Sequence, residues 1–171
     1  MIVLKGPEEI EIMRAANVIV AEVLAELRAN VRPGVTTADL DRIAEEMTRK
    51  RGAVPAFKGY SVAGRVYPAS LCASINDEVV HGIPSEARTL REGDIIGLDY
   101  GVIYKDYYGD SAVTVPVGSV SAQAEELMRT TREALVEFSV NVTNGYFVHE
   151  WRDGLRHLTD DRGGAIGLPP C

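Results

Sequence analysis

Two β-rich runs, Ile95–Tyr104 and Tyr107–Val115, flank a turn near Lys105-Asp106, so the pair is expected to fold as a hairpin. Each arm carries an acidic residue. Asp99 sits in Ile95-Ile-Gly-Leu-Asp99-Tyr-Gly101, and Asp110 lies eleven positions on, in Tyr107-Tyr-Gly-Asp110-Ser111. A carboxylate in so apolar a strand costs several kcal/mol to bury unless it is paired or bound to a cation. A turn centred near Tyr104-Lys105 sets the two aspartates directly opposite, with Cβ atoms about 5 Å apart. Bare carboxylates repel at that distance, and a divalent cation between them converts the repulsion into binding. The idea depends on register, because a slip of one residue turns a side chain to the other face. Ordinary surface aspartates on a solvated hairpin are the simpler alternative. Asp94 and Asp106 occupy turn positions and read as turn formers.

Upstream, the period is helical. Pro7 can begin a helix, and Ile10, Met13, Asn17, Val20, Leu24 and Leu27 fall on one face until Pro33-Gly34. Thr36 with Asp39 reads as an N-cap for a second helix, with Leu40, Ile43, Ala44 and Met47 inward and Gly52 at its end. Ala53–Phe57 is a short apolar run and Gly59–Tyr67 reads as a loop. Ser70–Ile75 and Glu78–Val80 read as short strands around Asn76-Asp77. Ser121 caps a further helix to Val136, with Leu127, Thr131, Ala134 and Leu135 on one side. Beyond about Ser139 the character changes. Phe147–Thr159 reads as a short amphipathic helix, and Asp160–Cys171 as irregular.

Composition narrows the function. The chain has 171 residues, 46% of them apolar, enough for one domain with a core. A net charge of −7 argues against a nucleic-acid surface. No apolar stretch is long enough to span a membrane, and Met1–Glu9 lacks the pattern of a signal peptide. Two cysteines in unrelated contexts, Cys72 and Cys171, form no disulfide framework and fit a reducing cytoplasm. His81 follows an apolar pair and precedes Gly82-Ile83-Pro84. That bend would hold an imidazole at the mouth of a pocket, as a proton donor or a hydrogen-bond donor to a reacting carbonyl. A structural histidine is the plainer alternative.

Together these segments resemble the bacterial-type (type I) methionine aminopeptidases. The resemblance rests on Ser74-Ile-Asn-Asp-Glu-Val-Val-His-Gly-Ile-Pro84, on Gly93-Asp-Ile95 with Asp99, and on Gly109-Asp-Ser111. Lys5–Arg14, Val31–Thr37 and Leu40–Ile43 extend it, so that it runs from about residue 3 to about Leu135. It implies an α+β pita-bread fold, two related halves with curved antiparallel sheet inside and helices outside, of which residues 1–138 are the N-terminal half. It implies hydrolytic removal of the initiator methionine from nascent polypeptides, with two divalent metals (Co, Mn, Fe or Zn) per site. Asp99 and Asp110 match metal ligands, and His81 matches a residue that contacts substrate and is needed for turnover. Cys72, Tyr60 and Tyr67 match the lining of the methionine pocket, where a soft slot suits a thioether.

The chain departs from that pattern twice. Gly59–Pro68 is a few residues longer than the usual loop, and residues 111–171 lack the Gly-His-Gly, Glu-Pro and Glu-His-Thr patterns that supply the remaining ligands. Residues 139–171 therefore read as a divergent tail, by frameshift or fusion; His149, Asp153 and His157 would share one face if it is helical. Expected consequences are an incomplete ligand set, impaired or absent activity, and self-association through the uncovered half-fold face. The alternatives are a non-catalytic half-fold interaction module and, disfavoured by the Ser74–Pro84 stretch, a proline-specific peptidase of the same fold.

Overall fold

The computed structural model describes residues 4–62 and 64–143, without the side chains of Val62 and 137–143. They divide into two compact units at Val120–Ser121. The expected features of His149, Asp153, His157 and the rest of 144–171 lie outside the described residues.

In the first unit, helix α1 (Pro7–Asn30) begins at the proline, with the Gly6 N–H donating to Glu9 Oε2 at 2.7 Å. Its buried stripe is Ala16, Ile19, Val20, Val23, Leu24 and Leu27. The forward half of the expected face is thus corrected: Ile10 is 45% exposed, and exposed Asn17 donates its amide to the Met13 carbonyl. The helix is apolar on more than one side, and close approach decides which side turns in. A Cβ on Gly109 would lie 2.7 Å from the Ala16 carbonyl carbon, so the helix meets the sheet through its small residue.

Helix α2 (Thr37–Lys50) has the expected cap. Thr36 Oγ1 accepts from the Asp39 N–H at 3.1 Å, and Asp39 Oδ2 accepts from the Thr36 N–H at 3.1 Å. Gly52 follows it at φ +68°, a left-handed position that glycine takes without strain. Leu40, Ala44 and Thr48 turn inward, and the fully buried Tyr100 hydroxyl bonds Thr48 Oγ1 and the Ala44 carbonyl.

Six strands follow: β1 (Val54–Pro55), β2 (Ser61–Val62), β3 (Arg65–Val66), β4 (Leu71–Ile75), β5 (Ile95–Tyr104) and β6 (Tyr107–Pro116). One edge of β5 pairs with β6 along its whole length; the other pairs with β4 and β1. Leu71, Ala73, Ile96, Leu98, Tyr100, Val102 and Val115 alternate onto the face that α1 and α2 cover. Burying each larger aliphatic chain there contributes about 1.5–3 kcal/mol, an upper estimate.

Two connections differ from expectation. Gly59–Tyr67 is a small hairpin, with β2 against β3 and Gly64 at φ +78° in its turn. Glu78–Val80 is no strand, because the edge of β4 is taken two residues later: the Ala73 N–H donates to the Gly82 carbonyl at 2.8 Å.

In the second unit, helix α3 (Ala122–Thr143) has Ser121 Oγ accepting from the Ala124 N–H, and continues past residue 138. Ala134 and Thr130 are buried, whereas Leu127, Thr131 and Leu135 of the expected face are exposed. Among the described residues no helix is long and apolar enough to cross a membrane.

Candidate functional site

The sheet face opposite α1 and α2 is built from small residues. Ser74, Gly97, Gly101, Ala112 and Thr114 alternate onto it with Cys72, Asp99 and Asp110. Across β4 and β5, Cys72 stands directly opposite Asp99. Across β5 and β6, Asp99 faces Ala112 and Asp110 faces Gly101. The aspartates are therefore not directly opposite, which corrects the expected register by two residues.

The cause is the turn. Lys105 and Asp106 both adopt left-handed backbone, φ +48° and +68°, as a two-residue hairpin turn requires, so Tyr104 and Tyr107 close the ladder. A shift of two keeps both carboxylates on one face as diagonal neighbours, about 7 Å apart at the backbone. That spacing leaves room for a cation at metal–oxygen distances of about 2.0–2.2 Å.

The electrostatics agree with the proximity. Burial raises the pKa of Asp99 above the usual carboxylate range, and the Asp110 charge raises it further; His81 pulls it back. Cys72 is pushed up by burial and by Asp99, Asp110 and Asp41, while the nearby Tyr67 hydroxyl opposes the shift. Tyr67 is itself pushed up, by burial first and then by Cys72. Cys72, Tyr67, His81, Asp99 and Asp110 thus occupy one neighbourhood. Asp94 and Asp106 do not join it. Asp94 accepts from the Arg91 N–H and the Asn76 amide at 2.8 Å each, and Asp106 lies in the turn.

His81 is exposed and has a left-handed backbone, φ +59°. Gly82, after it, lies so close to β4 that an added Cβ would sit 2.2 Å from the Ala73 carbonyl oxygen. Tyr60 is 65% exposed on the small hairpin. Tyr67 Oη lies 3.0 Å from the Leu71 carbonyl oxygen and 3.1 Å from that of Gly82.

The sequence pattern missed Phe57 and Asp41. Phe57 lies over Gly101, where its ring carbon would come 3.0 Å from an added Cβ, and so it flanks the Asp110 position. The Ala56 N–H to Gly101 carbonyl bond at 2.9 Å puts it there, and no local signal separates it from a core aromatic. Asp41 Oδ1 accepts the N–H groups of Ser70 and Leu71, both at 2.8 Å, and so fixes the start of β4. No spacing rule links residues so far apart.

The two carboxylates suit a hard divalent cation. Among the described residues no group of three or more His, Cys, Asp or Glu side chains could complete a metal site.

The fold places the chain among α+β proteins with an antiparallel sheet and flanking helices, and comparison settles the family. A model of "Metallopeptidase family M24" matches residues 11–161, and the chain belongs to that family. It is 51% identical over 134 residues to a methionine aminopeptidase of Clostridium acetobutylicum, covering 78% of this chain and 52% of that protein. With that of Helicobacter pylori it shares 42% over 160 residues, 94% of this chain and 61% of the relative. The methionine aminopeptidase structure from Thermotoga maritima superposes with a TM-score of 0.76 at 42% identity, over 80% of this chain and 53% of that one. The architecture is accordingly that of the pita-bread fold, which a Bacillus anthracis Xaa-Pro dipeptidase shares at 24% identity and TM-score 0.72. The chain spans about half the length of the curated relatives it matches.

Proposed function

We propose that this chain carries the N-terminal half of a methionine aminopeptidase site, acting on the N-terminal methionine of peptides and nascent chains. The observation that supports this most is Asp99 and Asp110 on one small-residue sheet face, with Cys72 directly opposite Asp99 and His81 close enough to lower the Asp99 pKa.

In this reading Asp99 and Asp110 hold divalent metal, two ions per site in complete relatives, with Co, Mn, Fe and Zn all suited to such donors. Bound metal would acidify water and polarise a carbonyl. His81 donates a hydrogen bond to the scissile amide from the rim. Cys72, Tyr67 and Tyr60 line the slot for the methionine side chain, and Phe57 adds a wall. Asp110 keeps its solvent access, which leaves the approach open to an extended peptide.

A second reading is a half-fold interaction module that binds metal weakly and does not turn over alone, since Asp99 and Asp110 by themselves make an open site. Exposed Ile10 and Val18 on α1 favour self-association in that case. Residues 139–171 are read as a divergent tail under both, although the family match extends into it as far as residue 161.

The test is hydrolysis of a Met-Gly-Met-Met peptide with added Mn(II) or Co(II), alongside Asp99→Ala. Loss of activity in the variant supports the enzyme reading. Folded protein without turnover, but with Asp99-dependent Mn(II) binding, supports the second. No Asp99-dependent binding sinks both.

A further inference from the structure

Tyr67 would be expected to meet ligand through its hydroxyl, but that hydroxyl is already engaged. It lies 3.0 Å from the Leu71 carbonyl oxygen and 3.1 Å from the Gly82 carbonyl oxygen. A phenol has one proton to donate, so the two carbonyls share it in a bifurcated bond. Leu71 opens β4, and Gly82 directly follows His81. The ring therefore bridges the strand that carries Cys72 and the loop that carries His81.

His81 needs such a bridge. A histidine at φ +59° occupies a sparsely populated region, and it persists only where its surroundings over-determine it. The loop has anchors at both ends. Upstream, Glu78 accepts the Ile75 N–H and pairs with Arg88. Downstream, Arg88 donates to the Ile83 carbonyl, and Gly82 donates to Ser74 Oγ while accepting from the Ala73 N–H. Those contacts come from the sheet and from the loop's own far side. Tyr67 ties the base of the small hairpin into the same joint, since its N–H donates to the Tyr60 carbonyl at 2.8 Å.

We propose that Tyr67 is a positioning residue: its hydroxyl, shared between the Leu71 and Gly82 carbonyls, locks the His81 backbone in the left-handed conformation that sets the imidazole against the Asp99–Asp110 face. It acts through His81, while its ring remains available to the methionine slot. The inference rests on the site reading above, but its first measurement needs neither metal nor turnover.

The experiment compares the wild-type chain of 171 residues with Tyr67→Phe by NMR, a substitution that keeps the ring and removes the hydroxyl. In metal-free wild type, His81 should give the short intraresidue HN–Hα distance of left-handed backbone, and the Tyr67 ring should show contacts to Gly82 Hα. In the variant the His81 signature should average away while Tyr100 and the α1 core signals stay in place. Mn(II) is then added. In wild type the His81 ring and the Ala112 methyl should both broaden; in Tyr67→Phe, Ala112 should broaden as before and His81 at least threefold less. Where wild type turns over peptide, the variant should lose at least tenfold in kcat with KM within twofold.

A left-handed His81 in Tyr67→Phe, broadened as in wild type, overturns the proposal. So does the absence of Tyr67–Gly82 contacts in wild type, a result that does not depend on the variant folding. If Ala112 does not broaden in wild type, the metal reading fails, and the metal-free arm still decides the role of Tyr67.

Discussion

Replacing Asp99 by asparagine should stabilise the metal-free protein at neutral pH. Asp99 is partly buried, its diagonal neighbour is another carboxylate, and the one opposing influence, His81, is smaller than either. Two unit charges about 7 Å apart, in an effective dielectric of about 40–80 suited to the exposed Asp110, repel by about 0.6–1.2 kcal/mol. Desolvation adds to this cost. The sign follows from linkage: the folded-state pKa of Asp99 is raised, so the folded protein holds this proton more tightly than the unfolded chain. Wild-type stability therefore falls, relative to the variant, as pH rises from about 4 through the raised pKa, and the gap stays open above it. Urea denaturation in EDTA at pH 4 and pH 7 measures the gap through the midpoint at constant slope. It should be near zero at pH 4, about 1 kcal/mol at pH 7, and smaller at 1 M salt. Excess Mn(II) should then stabilise wild type and leave the variant unchanged. An asparagine variant less stable than wild type at pH 7 in EDTA would mean that Asp99 has a favourable partner, and the cation argument would collapse.

Three further substitutions probe the supports. Gly109→Ala forces a methyl to within 2.7–2.9 Å of the Ala16 and Asn17 backbone, so thermal or urea unfolding should show a loss of about 2–3 kcal/mol, whereas Gly52→Ala, with open space but left-handed φ, should lose about 1 kcal/mol. Asp41→Ala strands two N–H groups at the start of β4 and should cost about 2–3 kcal/mol in the same assay; a loss below about 0.5 kcal/mol would show that water replaces the carboxylate. The Cys72 thiol, raised by burial and neighbouring acids, should react more slowly with iodoacetamide at pH 8 than free cysteine does, and Asp99→Asn should speed it, as peptide mass spectrometry can follow.

The elements legible in the sequence were those written in local chemistry. The Thr36–Asp39 cap, the proline that starts α1 and the break at Lys105-Asp106 each satisfy or remove backbone groups within a few residues, so spacing suffices to find them. What spacing could not give was set between distant segments. The face of α1 was decided by Gly109 against Ala16, although Ile10 and Met13 are as apolar as the residues that turned inward. Glu78–Val80 has strand composition, but the β4 edge was claimed by Gly82, where a side chain will not fit. Phe57 and Asp41 entered the site by tertiary approach alone.

The two-residue error in the hairpin register shows why the site was still found. Side chains alternate with a period of two, so any even shift returns Asp99 and Asp110 to the same face, and any odd shift separates them across the sheet. The burial pattern decides the parity: Leu98 and Tyr100 must face the helices, which sends Asp99 to the other side, and Val113 and Val115 do the same for Asp110. Parity was therefore carried by the hydrophobic pattern, while the offset was carried by two backbone angles that the pattern does not encode. A one-residue insertion between Lys105 and Asp106 tests this directly. If the core residues hold their places, the turn absorbs the extra residue, and Asp99-dependent Mn(II) binding should survive with modest loss of stability. If the turn instead drives the register, one aspartate moves to the helix-covered face. Metal binding should then vanish, together with several kcal/mol of stability, because a charge has entered the core.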